Sequence, residues 1–327
     1  DPSLSLSLVI PPARHADPPQ SYPRPMPITA TAFSPDGTQI LASGYHEVTV
    51  WNVEDSTLSR RIKNIGQRVY RLSFSADGRT LAVACGEPGK SGEVRLVNFE
   101  TGEVAGVVAR SRDVVLDVAF RPDSNELAVA SADGVIRIVD WQTQVETRTI
   151  ASHADWVTAI AWSEDGGRLV SASRDKSSKA YDGSTGALLS SYVGHGAAVR
   201  GIAILPEGKQ VASVGGDGKL HRWNIDDAKK IAEVEIGNEA YHLIRNGNQL
   251  YVPCADRRLL QIDLASNSIV REFKGHADWV LSAALRSAAG ESENIDEPLI
   301  ASGAFDGELR LWNASDGELS QAWIAKP

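Results

Sequence analysis

The chain is short of cysteine, of basic excess and of long apolar runs, and each shortage removes a class of protein. Only Cys85 and Cys254 occur in 327 residues. They fall in repeat units four apart, too far round a ring for the roughly 5.5 Å Cα spacing of a disulfide. Both read as buried thiols, and their number leaves the redox compartment open. A formal net charge of −9 and a pI near 5.3 lack the basic footprint that phosphate neutralisation needs, which argues against nucleic acid as a partner. No apolar run approaches the roughly 20 residues that span a bilayer, so direct membrane insertion is not expected. No helix of consequence is expected either. The sequence opens at Asp1 without Met or a charged-then-apolar leader, which reads as a processed or truncated piece.

What is present is repetition. An apolar alternating strand, a Pro/Asp/Gly turn, a second strand, a tight turn and a third strand ending near Trp-Asn or Trp-Asp recur along the chain. The first turn reads FSPDG at 33–37, FSADG at 74–78, FRPDS at 120–124, WSEDG at 162–166 and LPEGK at 205–209. Asp and Gly supply there the local hydrogen bonds and positive φ of a hairpin. An Asp in the second turn recurs as Asp133, Asp175, Asp217, Asp256 and Asp306, at intervals of 42, 42, 39 and 50 residues, close to the ~40–45 residues of a four-stranded propeller blade. Units one and two have altered second turns, with strands ending at Trp51 and Val97.

The pattern therefore predicts an all-β chain, a seven-bladed β-propeller of four-stranded antiparallel blades. Inner strands are expected within 28–53, 69–99, 114–141, 157–182, 199–225, 240–264 and 280–313. Outer strands are expected at 57–62, 103–108, 145–150, 187–192, 229–236, 268–273 and 318–324. Residues 28–327 form the propeller, and 1–27 an N-terminal strand (Leu4, Leu6 and Leu8 alternating with Ser5 and Ser7) followed by a proline-rich tether. Either that strand or 318–324 can close the ring.

His195, Ser213, Asp217 and Trp223, and again His276, Ser302, Asp306 and Trp312, resemble the His, Ser, Asp and Trp set of WD-repeat blades. His153, Ser171, Asp175 and Tyr181 resemble it with Tyr replacing Trp. The resemblance covers 28–324 and implies four side chains hydrogen-bonded within each blade. A narrower resemblance rests on ASGYHEV at 42–48, GEPGKSGEV at 86–94, and HADWV with SASRDKSSK across 153–179. These runs look like propellers that follow a c-type cytochrome domain in multidomain planctomycete proteins. That likeness implies a bacterial periplasmic or envelope setting, a cytochrome domain or envelope complex as associate, and covalent haem upstream. This chain has no CxxCH, so no cofactor is expected within it.

Catalytic and metal readings are weak. His153, His195 and His276 occupy one position in three different blades and cannot share an ion, so no metal site is expected. A Ser-His-Asp set repeated blade after blade and ending on an indole has its groups paired internally, not facing a substrate, so no catalytic residue is assigned. GEPGKS at 86–91 lacks the first Gly of a P-loop, since Ala84 stands there, and a strand follows its Lys; an elongated hairpin is expected. Asn313-Ala314-Ser315 as a glycosylation acceptor is discounted. The acidic insertion around Glu291, Glu293, Asp296 and Glu297 reads as a solvated loop.

Trp156 and Trp279 stand out. Both lie in HADWV segments, at 153–157 and 276–280, entering the innermost strands of blades 4 and 7. With Asp155, Asp278 and Arg174, and with Tyr45 and His46 of blade 1, they form the expected partner-binding set. The competing reading is that each indole packs between blades. Function is expected to be that of a non-catalytic protein-interaction scaffold. The alternative is a small-ligand-binding or enzymatic propeller using the central channel, where Arg71 and Asp117 are the charged mid-strand residues.

Overall fold

A computed structural model describes residues 14–286 and 298–327. Its strands make seven four-stranded antiparallel sheets, each joining strands consecutive in sequence. The fold is the expected seven-bladed β-propeller. Blade 4 is typical, with strands Val157–Trp162, Arg168–Ser173, Ser178–Asp182 and Leu188–Tyr192. The segments at Leu4–Leu8 and 291–297 lie outside the described residues.

Burial explains the pattern that made the strands legible. The second strand of each blade is covered on both faces by neighbouring blades, so it reads as a continuous small-apolar run such as Leu-Ala-Val-Ala-Ser at 127–131. Outer strands meet solvent, as in Val145–Ile150, where only Ile150 is buried. The hydrophobic clusters accordingly lie between blades. One joins Ile40, Ala42 and Trp51 of blade 1 to Ala301, Leu309 and Leu311 of blade 7. Each fully buried aliphatic side chain there contributes roughly 1.5–3 kcal/mol.

The recurring first turn is built from its own side chains. Ser34 donates from Oγ to Asp36 at 2.5 Å, Gln39 N donates to Ser34 Oγ at 2.9 Å, and Gly37 adopts φ of 69°. Ser163, Asp165 and Gly166 repeat this in blade 4, with a 2.5 Å bond and φ of 64°. Gly is required at that φ because a Cβ would strain it.

Residues Leu319–Ile324 form the outer strand of blade 7, so each blade is contiguous in sequence. The seam between blades 7 and 1 is held by Ile28 N donating to Ala304 O at 3.0 Å and Gln321 Nε2 donating to Val53 O at 2.9 Å. Residues 14–27 run along blade 1. Arg61 donates to the Pro19 and Gln20 carbonyls at 2.6 and 2.7 Å, and the Tyr22 hydroxyl bonds buried Glu47. The GEPGKS segment is a long hairpin, paired down to Glu87 and Ser91 and turned by Pro88 and Gly89. Cys85 and Cys254 are separate, buried, free thiols.

Candidate functional site

The blade-internal sets come out differently in each blade. In blade 4, His153 Nδ1 lies 2.9 Å from Asp175 Oδ2 and its Nε2 2.6 Å from Ser171 Oγ. A carboxylate can only accept, so Nδ1 carries the proton and Nε2 accepts from the serine. Tyr181 reaches this serine only at 3.4 Å and bonds Ser152 instead. Burial lowers the pKa of His153 despite Asp175, which keeps the ring neutral. Burial would raise Asp175, but bonds from Ser177 and His153 outweigh it and hold the carboxyl far below its ordinary value.

Blade 5 repeats the histidine bonds, His195 to Asp217 and to Ser213, both at 2.9 Å. Trp223 does not complete that set, because its buried indole nitrogen has no hydrogen-bond partner. Tyr192 instead lies flat on Trp223, ring centroids 5.2 Å apart, and bonds His221 at 2.8 Å.

Blade 7 departs further. Trp312 donates to Ser302 at 2.8 Å and Ser302 meets His276 at 2.7 Å, but His276 Nδ1 faces Glu308 Oε2 at 3.1 Å, too bent for a hydrogen bond. Asp306, expected to hold this histidine, turns back to accept from Glu308 N at 3.0 Å. Glu308 escaped the sequence reading because the set assigns that role to the turn Asp.

Among the described residues, one group of side chains could bring three ligand atoms together for a metal, namely His195, Asp217 and His221. The two imidazoles stack face to face at 4.0 Å and 16°, so their in-plane lone pairs run side by side without converging. Both nitrogens of His195 are already bonded. Burial, then the charges of His195 and Lys230, brings His221 down to about 4. The arrangement is a neutral aromatic stack.

The loops entering innermost strands and the turns between second and third strands open on one face. Arg174 N donates to Trp156 O, and Phe305 N to Trp279 O, each at 2.9 Å. Trp156 is 36% exposed and Trp279 48%, so neither is packed away between blades. Asp155 positions its pair twice, accepting from Trp156 N at 2.8 Å and holding Arg174 Nε at 2.8 Å. The guanidinium then lies 4.3 Å over the indole. Asp278 caps Trp279 N in the same way, but Phe305 stands where blade 4 has Arg174, its ring 5.7 Å from the indole. Tyr45 and His46 join neither indole. They pack on each other, and His46 lies 5.9 Å from His15, so the N-terminal segment overlies that turn.

A polar bolt crosses the channel among the described residues. Arg71 Nε meets buried Asp117 at 2.6 Å, and Asp117 also accepts from Val118 N and Ile160 N at 2.8 and 2.9 Å. From blade 2, Arg71 also reaches His242 of blade 6. Burial and then the Arg71 charge push His242 well below its ordinary pKa, leaving it neutral.

Seven four-stranded blades with these internal sets define a β-propeller of repeated units. The WD domain, G-beta repeat model matches residues 106–140, 144–182, 186–224 and 267–313, so the chain carries WD40 repeats. The chain is similar to the intraflagellar transport protein 122 homologs of Xenopus tropicalis, at 28% identity over 102 residues, and of Homo sapiens, at 28% over 106. The matches cover 31% and 32% of this chain and 8% of each relative, so it spans under a tenth of their length. No helix among the described residues is long and apolar enough to cross a membrane.

Proposed function

We propose that the chain is a non-catalytic protein-binding platform whose partner surface is the face carrying Trp156 and Trp279. The observation that carries this reading is two exposed indoles on equivalent loops, each braced by a neighbour across the turn, Arg174 for one and Phe305 for the other. Contiguous exposed apolar surface marks interaction sites, and a few braced anchors supply most of an interface's energy. The channel supports the same reading, because Arg71, Asp117 and His242 are engaged with one another. WD40 repeats in general serve protein–protein contact, and the relatives are intraflagellar transport proteins by name. The test compares proteins captured by the chain and by its Trp156→Ala/Trp279→Ala form from extracts of its source. Equal capture rejects the reading.

We further place the chain in a bacterial periplasmic or envelope assembly beside a haem-bearing module, with no cofactor of its own. The support is the likeness of 42–48, 86–94 and 153–179 to propellers that follow cytochrome domains. The mass and visible absorbance of the native polypeptide test it. A native chain of this length without haem absorbance removes the proposal.

A further inference from the structure

Around Trp279 the partner face contains a cavity of about 320 Å³. Tyr70 of blade 2, Tyr241 of blade 6, and Leu281, Phe305 and Trp279 of blade 7 line it, and Arg68 stands at its rim. Met26 and Pro27, from the segment entering blade 1, complete a wall. The site draws on four blades, so sequence inspection blade by blade could not assemble it.

Charge at the rim is uneven. Arg68 is exposed and forms no ion pair among the described residues, and the same holds for Arg110 near the end of the outer strand of blade 2 and Arg112 in the loop entering blade 3. None of the nearby acids pairs with Arg68 among the described residues. Asp113 accepts from Gly89 N at 2.9 Å and Val114 N at 2.7 Å, Asp278 caps Trp279 N, and Glu239 is bound to Arg200. An apolar cavity with an exposed, unpaired cation in its lining complements an apolar group carrying a carboxylate.

We propose that this cavity takes an aromatic side chain of an extended segment in a protein partner, with a neighbouring carboxylate of that segment reaching Arg68. This rests on the partner face argued above and names what it recognises. A polypeptide is favoured over a free small molecule because the same face carries a second exposed indole, Trp156, outside the cavity lining. A small molecule filling the cavity leaves Trp156 wet, whereas a protein partner covers both.

The probe is a blocked, fluorescein-labelled peptide Gly-Asp-Phe-Asp-Gly, titrated by fluorescence polarisation against the whole chain. Saturable binding is expected, weakened about tenfold or more when Phe becomes Ala or both Asp become Lys. Arg68→Glu, a change at an exposed side chain, should reverse the preference between the Asp and Lys peptides. Leu281→Trp should abolish binding by filling the cavity, with circular dichroism confirming the fold. The peptide comparisons stand even if that variant does not fold. Absence of saturation, equal binding of the Asp and Lys peptides, or indifference to Phe→Ala overturns the proposal. Phenylacetate competing as well as the peptide shows a small-ligand site, and self-association relieved by Arg68→Glu shows a second copy as occupant; either also overturns it. If the peptide fails while Trp156→Ala/Trp279→Ala still loses partner capture, the pocket reading alone falls.

Discussion

His276 faces Glu308, not Asp306: its Nδ1 lies 3.1 Å from the glutamate, while Asp306 caps the Glu308 amide at 3.0 Å. In blade 4 the corresponding Asp175 accepts from His153, Ala154 N and Ser177 N. The same substitution should therefore cost different amounts in the two blades. Asp306→Ala removes one turn bond, worth about 1 kcal/mol, whereas Asp175→Ala strands the buried His153 ring and the Ser177 amide and should cost about 2–3 kcal/mol. Urea unfolding of both variants checks this, and equal costs contradict the assignment.

The buried histidines predict acid sensitivity. Burial brings His276 down to about 4, from an ordinary value of 6.5, and does the same to His221. The unfolded chain takes up these protons first, so stability is whole above about pH 6.5 and declines as pH falls toward 4. At about 1.4 kcal/mol per unit, His276 alone accounts for about 3 kcal/mol across that window. Melting temperatures at pH 7, 5.5 and 4 should fall in that order, and a constant value refutes the buried neutral state.

How much of this was legible follows from distance along the chain. Strand pairing is local, and its period-two runs and Ser-x-Asp-Gly turns lie within a few residues, so all seven blades could be written down from the sequence. The His153, Ser171 and Asp175 bonds of blade 4 join residues within 22 positions of one another in one unit and were equally readable, whereas the turn of Tyr181 to Ser152 was not. The Arg71–His242 contact joins residues 171 apart across the ring and left no local mark. The stack of His221 on His195 and the substitution of Glu308 for Asp306 were hidden differently, because each sits at a position the repeat treats as variable. The exposure of Trp156 and Trp279 could not be read from HADWV, which suits a packed indole as well as a wet one.

The channel bolt predicts strong coupling. Asp117→Ala leaves the Arg71 guanidinium and the Val118 and Ile160 amides without their acceptor, a loss of about 3–5 kcal/mol for a broken buried pair. Pairing it with Arg71→Leu should recover part of that loss. A double-mutant cycle by urea unfolding measures the coupling, and simple additivity argues that the contact is incidental.

The thiols should be silent in the native state. Burial pushes Cys85 up to about 12 and raises Cys254 as well, so neither supplies thiolate at neutral pH. A colourimetric thiol reagent at pH 8 should label neither cysteine in the folded chain and both after denaturation. Rapid native labelling of either contradicts its burial.

The central claim is that partners dock on the face of Trp156 and Trp279. Hydrogen exchange of the chain alone and with a captured partner tests it most directly. The account predicts slowed exchange confined to this face, at 153–157, 174–176, 276–281 and 303–307, and at 68–70 and 241 where a partner fills the cavity. Protection instead of the opposite face, at the turns 33–38, 162–168 and 205–209, would contradict it.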